Sequence, residues 1–134
     1  MGFLLDSDVL IASERDEDTW DALLERLGEE TPGIAAISAS ELLHGVHRAT
    51  GAQRKARREA FVGTVLSSLT IFPFGLEAAR VHARIWADLK AAGRLIGAHD
   101  LIIAATALAE DLPLLTLNQG EFRRVEGLRL IGGL

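Results

Sequence analysis

The chain of 134 residues contains no cysteine and no tyrosine, and aromatic side chains make up only 5% of it. Without cysteine there is no disulfide, no zinc–thiolate centre and no thiol nucleophile, and a reducing compartment suits such a chain. So few rings leave little material for the stacking platforms that commonly hold single-stranded nucleic acid. Lysine is confined to Lys55 and Lys90. No apolar run approaches the ~20 residues of a membrane span. The opening MGFLLDSD lacks the basic flank and long apolar core of a signal peptide. The expectation is a soluble, cytoplasmic protein without a membrane partner.

Apolar residues are plentiful, at 49%, and the length suits one domain over residues 1–134 with a sizeable core. The formal net charge of −5 argues against a general nucleic-acid binder. The average hides an uneven distribution, because acids crowd the run from Glu14 to Glu30 while RKARR, residues 54–58, is basic.

Apolar periodicity divides the chain into alternating short strands and helices. Phe3–Leu5 reads as a buried strand, with Ser7 or Asp8 capping the helical turn that follows. DEDTWDALLERL is a helix whose Trp20, Leu23, Leu24 and Leu27 share one face, and Thr31-Pro32-Gly33 breaks it. GIAAIS is a second strand; Ser38 or Ser40 opens the next helix, which Gly51 ends. Residues 52–69 form a helix, TIFPF an edge strand because Pro73 cannot donate to a ladder, and LEAARVHARIWADLKAAG a helix closed by Gly93. AHDLIIAATALAED is a buried helix, and LLTL and LRLI are the last strands. Such alternation implies an α/β fold with a parallel sheet and helices on both faces.

Three acids stand where surface acids do not. Asp6 ends a buried strand, at the edge of an α/β sheet where ligands bind. Glu41 borders an apolar stripe of Leu42, Leu43 and Val46, beside the small residues Ser38 and Gly45. Asp100 aligns with Ile103, Ala104 and Ala107, away from a polar stripe of His99, Thr106 and Glu110. Burying an ionised carboxylate is costly unless it is paired or binds a metal. Each acid has a structural explanation by itself: Asp8 as a cap, Asp100 as a first-turn acid favoured by the helix dipole, Glu41 as a border residue. Together they favour one shared site. Oxygen donors alone suit Mg²⁺ or Mn²⁺, and such an ion can activate water against a phosphodiester.

LLDSDVLI, ISASELLHGVHRA, HDLIIAATAL and LLTLNQGEFRRVEGLRL, in that order and spacing, resemble the PIN domain, and within it the VapC-type toxins of toxin–antitoxin pairs. The resemblance runs from residue 3 to about residue 131. It implies a three-layer α/β/α sandwich around a short central parallel sheet, and Mg²⁺- or Mn²⁺-dependent RNA cleavage. It also implies that Asp6, Glu41 and Asp100 are the catalytic and metal-binding acids. The family's fourth acid follows a threonine; here Thr116-Leu117-Asn118 occupies that stretch and Glu121 follows, so Asn118 and Glu121 are alternatives for its role. A homodimer and a cognate antitoxin that enters the active site are implied as well.

Around that set, Asp8 is a secondary contributor to the metal, and Ser7 and Thr116 hydrogen-bond the carboxylates. Arg54, Lys55, Arg57 and Arg58 either steer RNA phosphates or form a solvated helix face. His44, His47 and His99 read as surface or packing residues. A metal-dependent endoribonuclease is the leading reading. A phosphatase built on Asp6-Ser7-Asp8 lacks a suitable lysine, and a non-catalytic binding module is the alternative of another class.

Overall fold

The structure, a computed structural model, describes residues 2–27 and 30–131, without the side chains of Glu17, Leu24, Arg26 and Leu27. Its five strands are β1 (Gly2–Leu5), β2 (Thr31–Ala35), β3 (Thr70–Phe72), β4 (Leu114–Leu115) and β5 (Leu130–Ile131). The helices are α1 (Ser7–Arg15), α2 (Glu17–Leu27), α3 (Ala36–Arg48), α4 (Ala52–Ser68), α5 (Leu76–Ala91), α6 (Ala98–Ala109) and α7 (Gln119–Phe122). The sheet is wholly parallel, in the order β3-β2-β1-β4-β5, as the alternation of strands and helices requires.

Strand β1 lies in the middle because Phe3, Leu4 and Leu5 are all apolar and can be covered on both faces. Side chains alternate along a strand, so Phe3 and Leu5 enter one core while Leu4 enters the other. The first core gathers Val9, Leu10, Leu23, Leu42, Val62 and Val65 from the helices on its side. The second gathers Ile85, Leu89, Leu101, Ile103, Ala104 and Phe122. Burying each large side chain contributes about 1.5–3 kcal/mol before the entropy of ordering it is counted.

Local expectations and structure part company at several points. Thr31-Pro32-Gly33 does not break the chain but forms the first part of β2. Pro32 is tolerated in this inner strand because pairing with β3 begins only at Gly33. Gly33 is needed there, since a Cβ would lie 2.4 Å from the Phe72 ring and 3.0 Å from the Thr70 carbonyl oxygen. Helix α3 starts at Ala36, before Ser38 and Ser40, and ends at Arg48. Gly51 stands instead at the head of α4 with φ +84°. Trp20 and Leu23 of the expected α2 face pack on the first core; the side chains of Leu24 and Leu27 lie outside the described residues. Leu43 is 44% exposed, and Thr106 is buried with its hydroxyl bonded to the Ile102 carbonyl.

The strand expected over LLTL stops at Leu115. There the Thr116 hydroxyl takes the Asn118 N–H at 3.0 Å and bends the chain out of the ladder. The short α7 follows, an element without periodicity long enough to read from sequence.

Candidate active site

The strand order reverses direction at β1: the chain proceeds to β2 and β3 on one side, and β4 and β5 complete the other. A crevice opens at such a point beyond the carboxyl ends of the adjacent strands. Asp6 follows β1 there and Thr116 follows β4, joined by a backbone bond from the Asp6 N–H to the Leu115 carbonyl at 2.9 Å. Helices that return across a parallel sheet run against its strands, so α3 and α6 start near this same edge. Glu41 is carried by α3 and Asp100 by the first turn of α6.

Asp6 is 5% exposed. Its Oδ2 accepts the Thr116 hydroxyl at 2.8 Å. Burial raises its pKa from the usual value to about 6, and the charges of Asp8 and, less strongly, Glu41 add to the shift; the Thr116 hydroxyl and the Ser7 backbone N–H oppose it. Asp100 is raised further, to about 7. Its causes are burial, a hydrogen-bonding contact with the Glu121 carboxyl, and the charges of Asp6, Glu121 and Glu41. Asp100 thus lies within reach of the charges of Asp6, Glu41 and Glu121, and Asp6 within reach of Glu41. Gly97, at the head of α6, leaves room beside two of them; a Cβ there would stand 3.8 Å from Asp100 Oδ2 and 3.9 Å from Glu121 Oε2.

Glu41 is held differently at its two oxygens. Oε2 lies 3.7 Å from Nδ1 of the exposed His99, which places that histidine at the mouth of the cluster. Oε1 is buried without a hydrogen-bond partner, as is the Ser38 hydroxyl. A buried acceptor without a donor is costly and calls for a proton or a cation.

The alternatives for the fourth acid are separated by geometry. Glu121 borders Asp100, whereas the Asn118 side chain is exposed and the residue contributes its backbone N–H to Thr116. Asp8 Oδ2 accepts the Leu117 N–H at 3.1 Å and lies 3.3 Å from the Thr116 hydroxyl oxygen, whose proton goes to the nearer Asp6. Asp8 therefore neither caps α1 nor points to solvent. Ser7 is buried and acts on Asp6 through its backbone N–H.

The basic patch is not brought to the acids. Arg54, Arg57 and Arg58 line a groove of about 700 Å³ with Glu14, Trp20, Asp21 and Phe61. Arg58 is committed there to Glu14 at 3.2 Å. Lys55 is exposed outside that lining. His44 and His47 are exposed on α3.

The donor set has the chemistry of a hard-cation site: carboxylate oxygens, no sulfur, and one orphaned buried oxygen at Glu41. As the side chains stand, no group of three acids or histidines among the described residues closes tightly enough to hold an ion. Ion binding would thus require them to turn inward, which the orphaned Glu41 oxygen favours.

Residues 3–128 match the family model described as PIN domain. The chain is 37% identical to Ribonuclease VapC1 of Rickettsia felis, over 98% of this chain and 96% of that protein. Among solved structures, VapBC2 from Rickettsia felis bound to a DNA fragment from their promoter superposes with a TM-score of 0.89 at 27% identity, covering both chains fully. VapBC-5 from Mycobacterium tuberculosis, a member of the VapBC family of toxin-antitoxin systems, gives a TM-score of 0.78 at 29% identity over 98% of each chain.

Proposed function

Because this chain belongs to the PIN domain family, we propose that it is a VapC-type endoribonuclease, the toxin of a toxin–antitoxin pair, and that its RNA hydrolysis depends on Mg²⁺ or Mn²⁺. The observation that carries the reading is the gathering of carboxylates at the sheet edge: Asp6 at the end of β1, Asp100 beside Glu121, and Glu41 with a buried oxygen that has no hydrogen-bond partner. Carboxylates gathered in this way are suited to receive a cation.

Asp6, Glu41 and Asp100 would hold the ion, with Glu121 as the fourth acid. When bound, Mg²⁺ or Mn²⁺ supplies a water of lowered pKa and charge stabilisation at a phosphodiester. The chain's own contribution is orientation. Thr116 fixes Asp6 Oδ2, and the Asp100–Glu121 contact holds a proton near the crevice close to neutrality.

A cognate antitoxin belongs to this reading, supported by neighbours that are VapBC complexes. A homodimer belongs to it too, supported by the exposed apolar residues Phe74, Leu76 and Trp86. Arg54 and Arg57 line a groove that contains none of the four acids, so any steering of RNA phosphates by them acts away from the crevice. No described helix is long and apolar enough to cross a membrane. A cytoplasmic location is consistent with an RNA substrate.

The test is cleavage of total tRNA and rRNA by purified, antitoxin-free chain, with Mg²⁺, with Mn²⁺ and with chelator. Cleavage that requires the ion and disappears in Asp6→Asn supports the proposal. RNA binding without any hydrolysis, in every ion condition, supports the non-catalytic binding module instead. That alternative draws on the acids' open arrangement as they stand.

A further inference from the structure

Asp8 is the acid of the opening motif whose carboxylate is bonded to the backbone of the turn after β4. Its Oδ2 accepts the Leu117 N–H at 3.1 Å and lies 3.3 Å from the Thr116 hydroxyl oxygen, and its Oδ1 stands 3.4 Å from the Leu117 nitrogen. These contacts span 108 and 109 residues of chain. They fall where the sheet stops: β4 has two residues, and the bond from the Asp6 N–H to the Leu115 carbonyl is the last between the two backbones there. Past Leu115 the segment leading to Glu121 is held to the start of the chain by the Asp6 and Asp8 carboxylates, which take the Thr116 hydroxyl and the Leu117 backbone N–H.

We propose that Asp8 is a positioning residue, which clamps the turn after β4 so that the Thr116 hydroxyl points at Asp6 and Glu121 reaches Asp100. The hydroxyl geometry supports this. Thr116 Oγ1 accepts the Asn118 N–H at 3.0 Å, so its proton is directed away from the turn and toward the carboxylates. If the Leu117 N–H lost its acceptor, the turn would lose its fixed height against α1 and the hydroxyl its aim. What separates Asp8 from Asp6, Glu41 and Asp100 is its bond to the Leu117 N–H, a backbone group of the turn itself. The role deepens the ribonuclease reading and rests on it for its catalytic consequence, but the clamp itself does not depend on any activity.

The experiment compares Asp8→Asn with Asp8→Ala in the full chain, by amide hydrogen exchange at Leu117 and Asn118 without metal, and by kcat and KM on RNA with Mg²⁺. Alanine is the best helix former, so it leaves the first turn of α1 intact. Asparagine keeps an oxygen for the Leu117 N–H. The expected result is exchange sped up by about tenfold or more in Asp8→Ala, with kcat lowered by about tenfold and KM nearly unchanged. Asp8→Asn should keep the protection and most of kcat. Unchanged exchange in Asp8→Ala overturns the proposal whatever the activity does. Equal loss of kcat in both variants, with weaker Mg²⁺ binding by calorimetry and intact protection, overturns it in favour of a charge role at the ion. If the unsubstituted chain cleaves no RNA, the ribonuclease reading fails while the exchange result still decides the clamp.

Discussion

The Thr116 hydroxyl donates to Asp6 Oδ2 at 2.8 Å across 110 residues of sequence, closing the crevice between the ends of β1 and β4. The same oxygen accepts the Asn118 N–H. Replacing Thr116 by valine, equal in shape but without a hydroxyl, strands both groups, and leaving buried polar groups unpaired costs about 1–3 kcal/mol. Urea denaturation should show that loss for Thr116→Val, and Thr116→Ser should recover most of it.

Asp100→Asn should separate stability from activity. The substitution removes a charge that burial, Glu121, Asp6 and Glu41 all disfavour. At pH 8, where Asp100 must be ionised, the variant should melt at a higher temperature than the parent. RNA cleavage in the same preparation should fall to background. A variant that is stabilised and still cuts RNA would remove Asp100 from the proposed ion site.

The ion-free protein should lose stability as pH rises. Asp6 and Asp100 have folded pKa values of about 6 and about 7, above the ordinary 3.8. The folded state therefore binds protons more tightly than the unfolded state, and unfolding becomes easier as pH climbs from about 4 to about 7. Calorimetric melting across this range should show a falling midpoint. Mg²⁺ or Mn²⁺ at one hundred times its dissociation constant should return about 2.7 kcal/mol at the upper end. A flat profile in both conditions would contradict the crowding of these acids.

Glu121→Gln and Asn118→Ala should behave differently. Glu121 contacts Asp100, so the glutamine variant should lower the Asp100 pKa, as followed by carboxyl NMR, and reduce cleavage by about tenfold or more. Asn118 contributes its backbone N–H and exposes its side chain. Its alanine variant should cut RNA at nearly the parent rate.

Gly33→Ala tests the sheet away from the acids. The added methyl meets the Phe72 ring at 2.4 Å, which β3 must shift to admit. Overpacking of this kind costs about 1–3 kcal/mol. Denaturation should register it, while the pKa of Asp100 should not move.

The parallel sheet, the two-sided burial of β1 and the position of Asp6 at its end were legible because apolar runs and their punctuation are local signals. Asp100 was legible from one helical face, and Ile103, Ala104 and Ala107 are indeed fully buried beside it. Thr31-Pro32-Gly33 misled because turn chemistry was weighed without the neighbouring strand: Pro32 precedes the ladder to β3, and Gly33 answers the Phe72 ring. The link between Asp8 and Leu117 left no trace in either segment, since a carboxylate in the first turn of a helix is satisfied equally well by the helix dipole. The choice between Asn118 and Glu121 needed the short α7, whose four residues carry no period. Contacts between distant segments are what local patterns omit.

Strand β4 and the turn behind it have a consequence in time. The ribosome makes Asp6, Glu41 and Asp100 first, yet Asp6 receives its hydroxyl donor and Asp100 its neighbouring acid only when residues 114–121 have emerged and docked beside β1. A nascent chain that has not released this last motif carries three of the acids in an unfinished cleft. Until that segment docks, Asp6 and Asp100 lack the neighbours that they have in the folded chain.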